Sequence, residues 1–263
     1  MNPRQLALDA LLLGDPALKC AAVDAMPLPA GGQTPADPDS SRLAHESLPG
    51  RCARPLLVAP AQLAQRPVST LAGRAALFHS LAHIELNAVN LALDAVWRFA
   101  GMPGDFYRDW IGVAREESQH FQLLHQHLRA MGYAYGNFPA HDGLWEMAEK
   151  TRDDLLARLA LVPRVLEARG LDAAPLIRDK LRHAGDEHGA ALLEIILRDE
   201  VAHVRIGNRW YHWLCERRGL DPLACQAELA RRHRAPRPRG PFNLAARRAA
   251  GFDEQELAAL QAG

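Results

Sequence analysis

Two short stretches of the chain have the residue types and spacing of metal ligands. Glu116-Glu117-Ser118-Gln119-His120 and Asp199-Glu200-Val201-Ala202-His203 both read acid-Glu-x-x-His. On a helix, positions i and i+3 are neighbours on one face. Glu117 can therefore share an ion with His120, and Glu200 with His203. Helical steps from Glu117 meet Trp110, Val113, Ala114, Phe121 and Leu124, and the same steps from Glu200 meet Leu193, Ile196, Leu197, Val204 and Gly207. Both stripes are apolar, which predicts that the carboxylates point inward. A buried carboxylate is costly unless it is paired, protonated or bound to a metal.

Two lone glutamates extend the pattern. Glu85 is surrounded at helical steps by Phe78, Leu81, Ala82, Ala88, Val89 and Ala92, and Glu167 has Leu156, Ala160, Pro163 and Leu171 near its face. Glu85 precedes Glu117 by 32 residues and Glu167 precedes Glu200 by 33. Each half thus supplies one lone Glu and then Glu-x-x-His, the ligand arrangement of di-iron and di-manganese carboxylate bundles. Oxygen and imidazole donors suit iron, manganese or zinc, and redox work favours iron or manganese, as a like or mixed pair. The competing reading makes these acids buried partners of arginines such as Arg115 or Arg164. Glu116 and Asp199 stand four residues before the two histidines. There either one can accept a histidine N–H and fix its tautomer, or else lie on a solvated helix edge.

Other residues are weighed against these. His79, His83 and Asn87 share a stripe, but His83 lies about 200° around the helix from Glu85, so a structural or surface role is expected. His125 and His127 read as surface, and Glu187 and His188 as first-turn residues. His212 falls off the Glu200 face. Trp110 and Tyr211 read as packing.

These side chains need long helices to position them. Apolar periodicity and glycine stops predict helices over about 71–100, 105–130, 144–169 and 187–218, ending at Gly101, Gly132, Gly170 and Gly219, with a shorter helix at 173–184. The short first link and the long second one, YAYGNFPAHDGLW, suit a four-helix bundle with a crossover. Residues 3–13 predict a short amphipathic helix. Pro27, Pro29, Pro35, Pro38, Pro49, Pro55, Pro60 and Pro67 exclude continuous helix or central strand from 26–70, leaving an extended arm. Residues 222–263 predict one or two short helices around RRHRAPRPRG, read as a solvated connection. The expectation is an all-α chain with an N-terminal helix and Pro-rich arm (1–70), a four-helix bundle (71–220) and a C-terminal helical tail (221–263).

Composition narrows the function. The 263 residues carry 31 basic and 31 acidic side chains, a net charge of zero. That excludes a protein whose main task is gripping nucleic acid or an acidic membrane through bulk charge. Cys20, Cys52, Cys215 and Cys225 form no C-x-x-C pair, which argues against a thiolate zinc site. No leader is read at the N-terminus and no stretch approaches the roughly 20 apolar residues of a spanning helix, so a cytoplasmic setting is expected. No flavin or NAD fingerprint is present.

HSLAHIELNAV, DFYRDWIGVAREESQHF, YGNFPAHDGLWEMA, LALVPRVLEARGLD and ILRDEVAHVRIGNRW together resemble the ferritin-like superfamily, and more specifically a bacterial family described only as a ferritin-like domain of unknown function. The resemblance covers about residues 70–220. It implies a non-haem centre of two metal ions, iron by preference, that reacts with O2 or peroxide. The implied ligands are Glu85, Glu117, His120, Glu167, Glu200 and His203. The function expected is a di-iron oxidase or monooxygenase acting on an unidentified small or macromolecular substrate with an external electron donor. A ferritin-type ferroxidase and a non-enzymatic metal-binding module are the alternatives. A homodimer is open, and no membrane or nucleic-acid partner is expected.

Overall fold

The computed structural model describes residues 2–29, 34–39 and 47–262. Among these the chain is all-helical, with no strand and one isolated bridge between Leu57 and Ala140. It forms two compact units, Met1–Asp142 and Gly143–Gly263.

The first unit holds α1 (Pro3–Leu12), α2 (Pro16–Asp24), α3 (Leu71–Arg98) and α4 (Gly104–Ala130). A helix start leaves backbone N–H groups without partners, and side chains supply them. Asn2, Asp15 and Thr70 accept from the N–H groups of Arg4, Leu18 and Gly73 at 3.0, 2.9 and 3.0 Å. Pro3 and Pro16 take first-turn positions where no N–H is needed. α2 was not among the expected helices, although Asp15-Pro16 is a start signal. α3 and α4 pack along each other, and α1 lies on α3 with Ala7, Leu8 and Leu11 fully buried. The buried Arg4 guanidinium donates to Trp97 O at 3.0 and 2.8 Å and so closes the end of α3.

The described parts of the proline-rich arm hold no helix beyond a 3-10 turn at Pro60–Gln62 and are otherwise irregular, with a turn at residues 67–70. The arm lies on this unit. Val58 N–H donates to Ala140 O at 2.8 Å, and Arg51 pairs with Asp142 at 2.8 Å. Residues 30–33 and 40–46 of the expected arm lie outside the described residues.

The second unit holds α5 (Gly143–Lys150), α6 (Leu155–Leu161), a π-helical turn (Val162–Glu167), α7 (Ala168–His183), α8 (Glu187–Arg218), α9 (Pro222–Arg232), α10 (Leu244–Ala249) and α11 (Glu254–Ala262). This corrects the expected helix over 144–169. The helix breaks after Lys150, where Asp154 caps a new start by accepting from Leu156 and Ala157 N–H at 2.9 and 3.3 Å. Arg158 ties the break together, donating to Thr151 Oγ1 at 2.9 Å and to Ala148 O at 2.7 Å. The helix then widens at Val162–Glu167, where Pro163 has no N–H and its ring crowds the carbonyl one turn back. Nor does it stop at Gly170. That glycine stays helical, fully buried Leu171 continues the apolar face, and the left-handed turn falls instead at Gly185 (φ 78°).

α8 matches its expected limits, with Asp186 as cap and Gly219 (φ 63°) closing it. α10 and α11 bury Ala250, Phe252 and Leu257 in one cluster with Ala168, Leu171 and Val204. Three tail helices therefore stand where one or two were expected.

Candidate metal centre

In the first unit α3 and α4 bring Glu85, Glu117 and His120 together. The three are 4%, 1% and 1% exposed. His120 Nδ1 lies 3.4 Å from a carboxylate oxygen of Glu85 and 3.4 Å from one of Glu117. One donor atom from each of the three falls within 4.8 Å of the others. The surroundings are apolar as the stripes predicted: Phe78, Ala82, Val89, Trp110, Val113, Ala114, Phe121 and Leu124 are all buried. Burial pulls the His120 imidazole down, but Glu117 and Glu85 outweigh it and raise the group to about 11.

These residues fit a divalent ion. Ligands about 2.1 Å from one ion, at angles of about 90–109°, stand roughly 3.0–3.4 Å apart, which is the spacing found from His120 to each carboxylate. Two carboxylates and one imidazole are the donors of iron, manganese and zinc sites.

In the second unit Glu200 and His203 are both buried on α8, with His203 Nδ1 3.7 Å from Glu200 Oε1. The i, i+3 pairing is thus formed in both motifs. Glu167 occupies the last position of the π-turn and is half-buried. Asp199 is half-buried and ion-paired to Arg198 at 2.8 Å, and Glu116 is exposed.

The two arginines considered as partners of the inward acids are bound elsewhere. Arg115 donates to Met26 O. Arg164 pairs with Glu256, donates to Asn208 Oδ1 at 2.5 Å and to Gln226 Oε1 at 3.1 Å, and lies 4.2 Å over the Tyr211 ring. His212 belongs to this network, 3.3 Å from Glu256. Tyr211 is fully buried and donates to Pro222 O at 2.6 Å, the packing role expected of it.

A family model described as a protein of unknown function (DUF455) matches residues 14–258. The chain belongs to this family. A Haemophilus influenzae protein, described as an uncharacterized protein, is 51% identical over 211 residues, covering 78% of this chain and 73% of its own. No solved structure matches the chain.

In this family member the first-unit triad is a buried cluster of two carboxyl groups and one imidazole that could hold a metal ion. Among the described residues no helix is long and apolar enough to cross a membrane.

Sequence reasoning missed the fit between the π-turn and α8. A Cβ on Gly207 would stand 2.6 Å from the Pro163 ring Cγ, so any other residue here would force the turn or α8 to shift. The signal was present, since Gly207 falls on the Glu200 stripe and Pro163 on the Glu167 face. His79, His83 and Asn87 are all buried on their own stripe of α3, and burial lowers both histidines to about 4.

Proposed function

We propose that the chain is a non-haem dinuclear metal protein, an oxidase or monooxygenase that uses O2. In this reading Glu85, Glu117 and His120 serve with Glu167, Glu200 and His203 as ligands of two iron ions, or of manganese or a mixed pair, within a ferritin-like four-helix bundle. The observation that carries it is the buried triad of the first unit, with imidazole and carboxylate donors 3.4 Å apart. The repeat of Glu-x-x-His on α8, again buried, supports it. When bound, the metal pair would supply the one-electron steps that reduction of O2 requires.

The chain's own residues do the rest. The carboxylates would balance the charge of the ions, and His120 would serve as a ligand in its neutral form. Asp199 and Glu116 would stand behind His203 and His120 and fix the rings. Trp110, Phe121 and Leu124 keep water from the ligands, which strengthens every charge interaction among them. Electrons come from a separate donor.

The test is O2 uptake by reduced, iron-loaded protein together with elemental analysis. Iron-dependent uptake is expected, lost along with metal content in the Glu117→Ala/His203→Ala double variant. Unchanged metal and uptake in that variant reject the ligand assignment. Zinc retained without any O2 uptake points to a structural metal, and a cage-sized particle on size exclusion points to storage.

A further inference from the structure

The stripe of α3 turned away from Glu85 borders a second polar site, independent of the metal reading. His83, Asn87 and Asn90 line a cavity of about 70 Å³ with Lys19 of α2 and with Arg51 and Arg54 of the arm. Among the described residues that line it there is no carboxylate. Lys19, only 2% exposed, donates to Leu11 O and Gly50 O at 3.3 Å and to Asn90 Oδ1. All three of these acceptors are neutral. Arg51 reaches both oxygens of Asp142 through Nη2 alone, a pairing that does not use its other nitrogens.

Asn87 supplies the second observation. It is 2% exposed, and its amide nitrogen donates to His83 O at 3.1 Å, which orients the group. Its Oδ1 is buried with no hydrogen-bond partner. A buried acceptor without a donor is costly, so Asn87 Oδ1 calls for a donor carried by whatever fills the cavity. Burial, and then Arg51, pull Lys19 down to about 7, the response of a cation without a full counter-charge. One water fills about 10–15 Å³ of such volume. The space therefore suits a group of five or six heavy atoms.

We propose that this cavity binds a small oxyanion carrying one hydroxyl. Its charged oxygens would face Lys19, Arg51 and Arg54, and its O–H would donate to Asn87 Oδ1. Hydrogen phosphate and a two-carbon hydroxy acid share this chemistry.

Calorimetric titration of the full chain in chelator, so that no anion is read through a metal, tests the proposal with two matched pairs of probes. These are inorganic phosphate against sulfate and glycolate against acetate. The hydroxyl-bearing member of at least one pair is expected to bind about tenfold tighter, the effect of one buried hydrogen bond. The pair that binds more tightly shows whether the ligand is a phosphate or a carboxylate. Lys19→Met is expected to abolish binding, and Asn87→Leu to erase the preference within the pair. The proposal is overturned if no probe saturates by about 50 mM, a limit near 2 kcal/mol of binding. It is equally overturned if sulfate and acetate match their partners in the unaltered protein, a comparison that needs no variant to fold.

Discussion

Replacing Glu117 by glutamine keeps the shape of the buried triad and removes one charge. In the metal-free protein the loss has two parts of opposite sign. The attraction of Glu117 for the His120 imidazolium at 3.4 Å disappears, and so does its repulsion of Glu85 within 4.8 Å. At an effective dielectric constant of about 20 these are about 5 and at least about 3.5 kcal/mol. The net cost to the metal-free form is thus at most about 1.5 kcal/mol.

The metal-loaded form behaves differently. At a metal concentration 100 times the dissociation constant, binding adds about 2.7 kcal/mol to stability, and a hundredfold weaker site adds only about 0.4. For a chain of this size that is a rise in Tm of about 8 °C in the unaltered protein against about 1 °C in the variant. Differential scanning fluorimetry with and without manganese or anaerobic ferrous iron measures both numbers. If Glu117→Gln instead lost more than about 3 kcal/mol without metal, and metal raised the Tm of neither protein, the triad would be a structural ion-pair cluster.

Three further outcomes follow from the packing of the second unit. Glu256→Ala leaves the Arg164 guanidinium buried without its counter-ion and should cost about 3–5 kcal/mol by urea unfolding; a loss under about 1 kcal/mol would show that the arginine does not need it. Burial raises the Glu256 carboxyl, but His212 and Arg164 overcome this and hold it at about 2, below its ordinary 4.5. Its stabilisation is therefore complete above pH 4.5 and is lost as pH falls toward 2. Glu256→Gln should remove that part of the acid sensitivity, and an unchanged acid profile would refute the assignment. Gly207→Ala forces a methyl against the Pro163 ring and should cost roughly 1–3 kcal/mol in thermal unfolding, whereas a neutral effect would mean that the π-turn yields freely.

Local chemistry made much of this protein legible from residue order alone. The starts of α3 and α8 and the ends of α4 and α8 follow from caps, glycines and apolar period. The convergence of Glu117 with His120 and of Glu200 with His203 needs only helical spacing, and the burial of Glu85 follows from its apolar neighbours. Local signals were overridden where a long-range partner decided the outcome. Gly170 looked like a stop, but buried Leu171 carried the helix on to His183. The 144–169 helix looked continuous, but Asp154 and Arg158 fix a break, and the turn at Pro163 is accommodated by the bare Cα of Gly207.

Periodicity shows which face of a helix turns inward, because that depends only on the order of residues along one element. What that face meets depends on segments far away in the chain. That Arg164 is bound by Glu256, 92 residues on, and is therefore no partner for an inward glutamate, could be seen only in the folded unit. So too could the cavity that gathers Lys19, Arg51 and Asn87, since a cavity consists of the distances between elements and no single element encodes it.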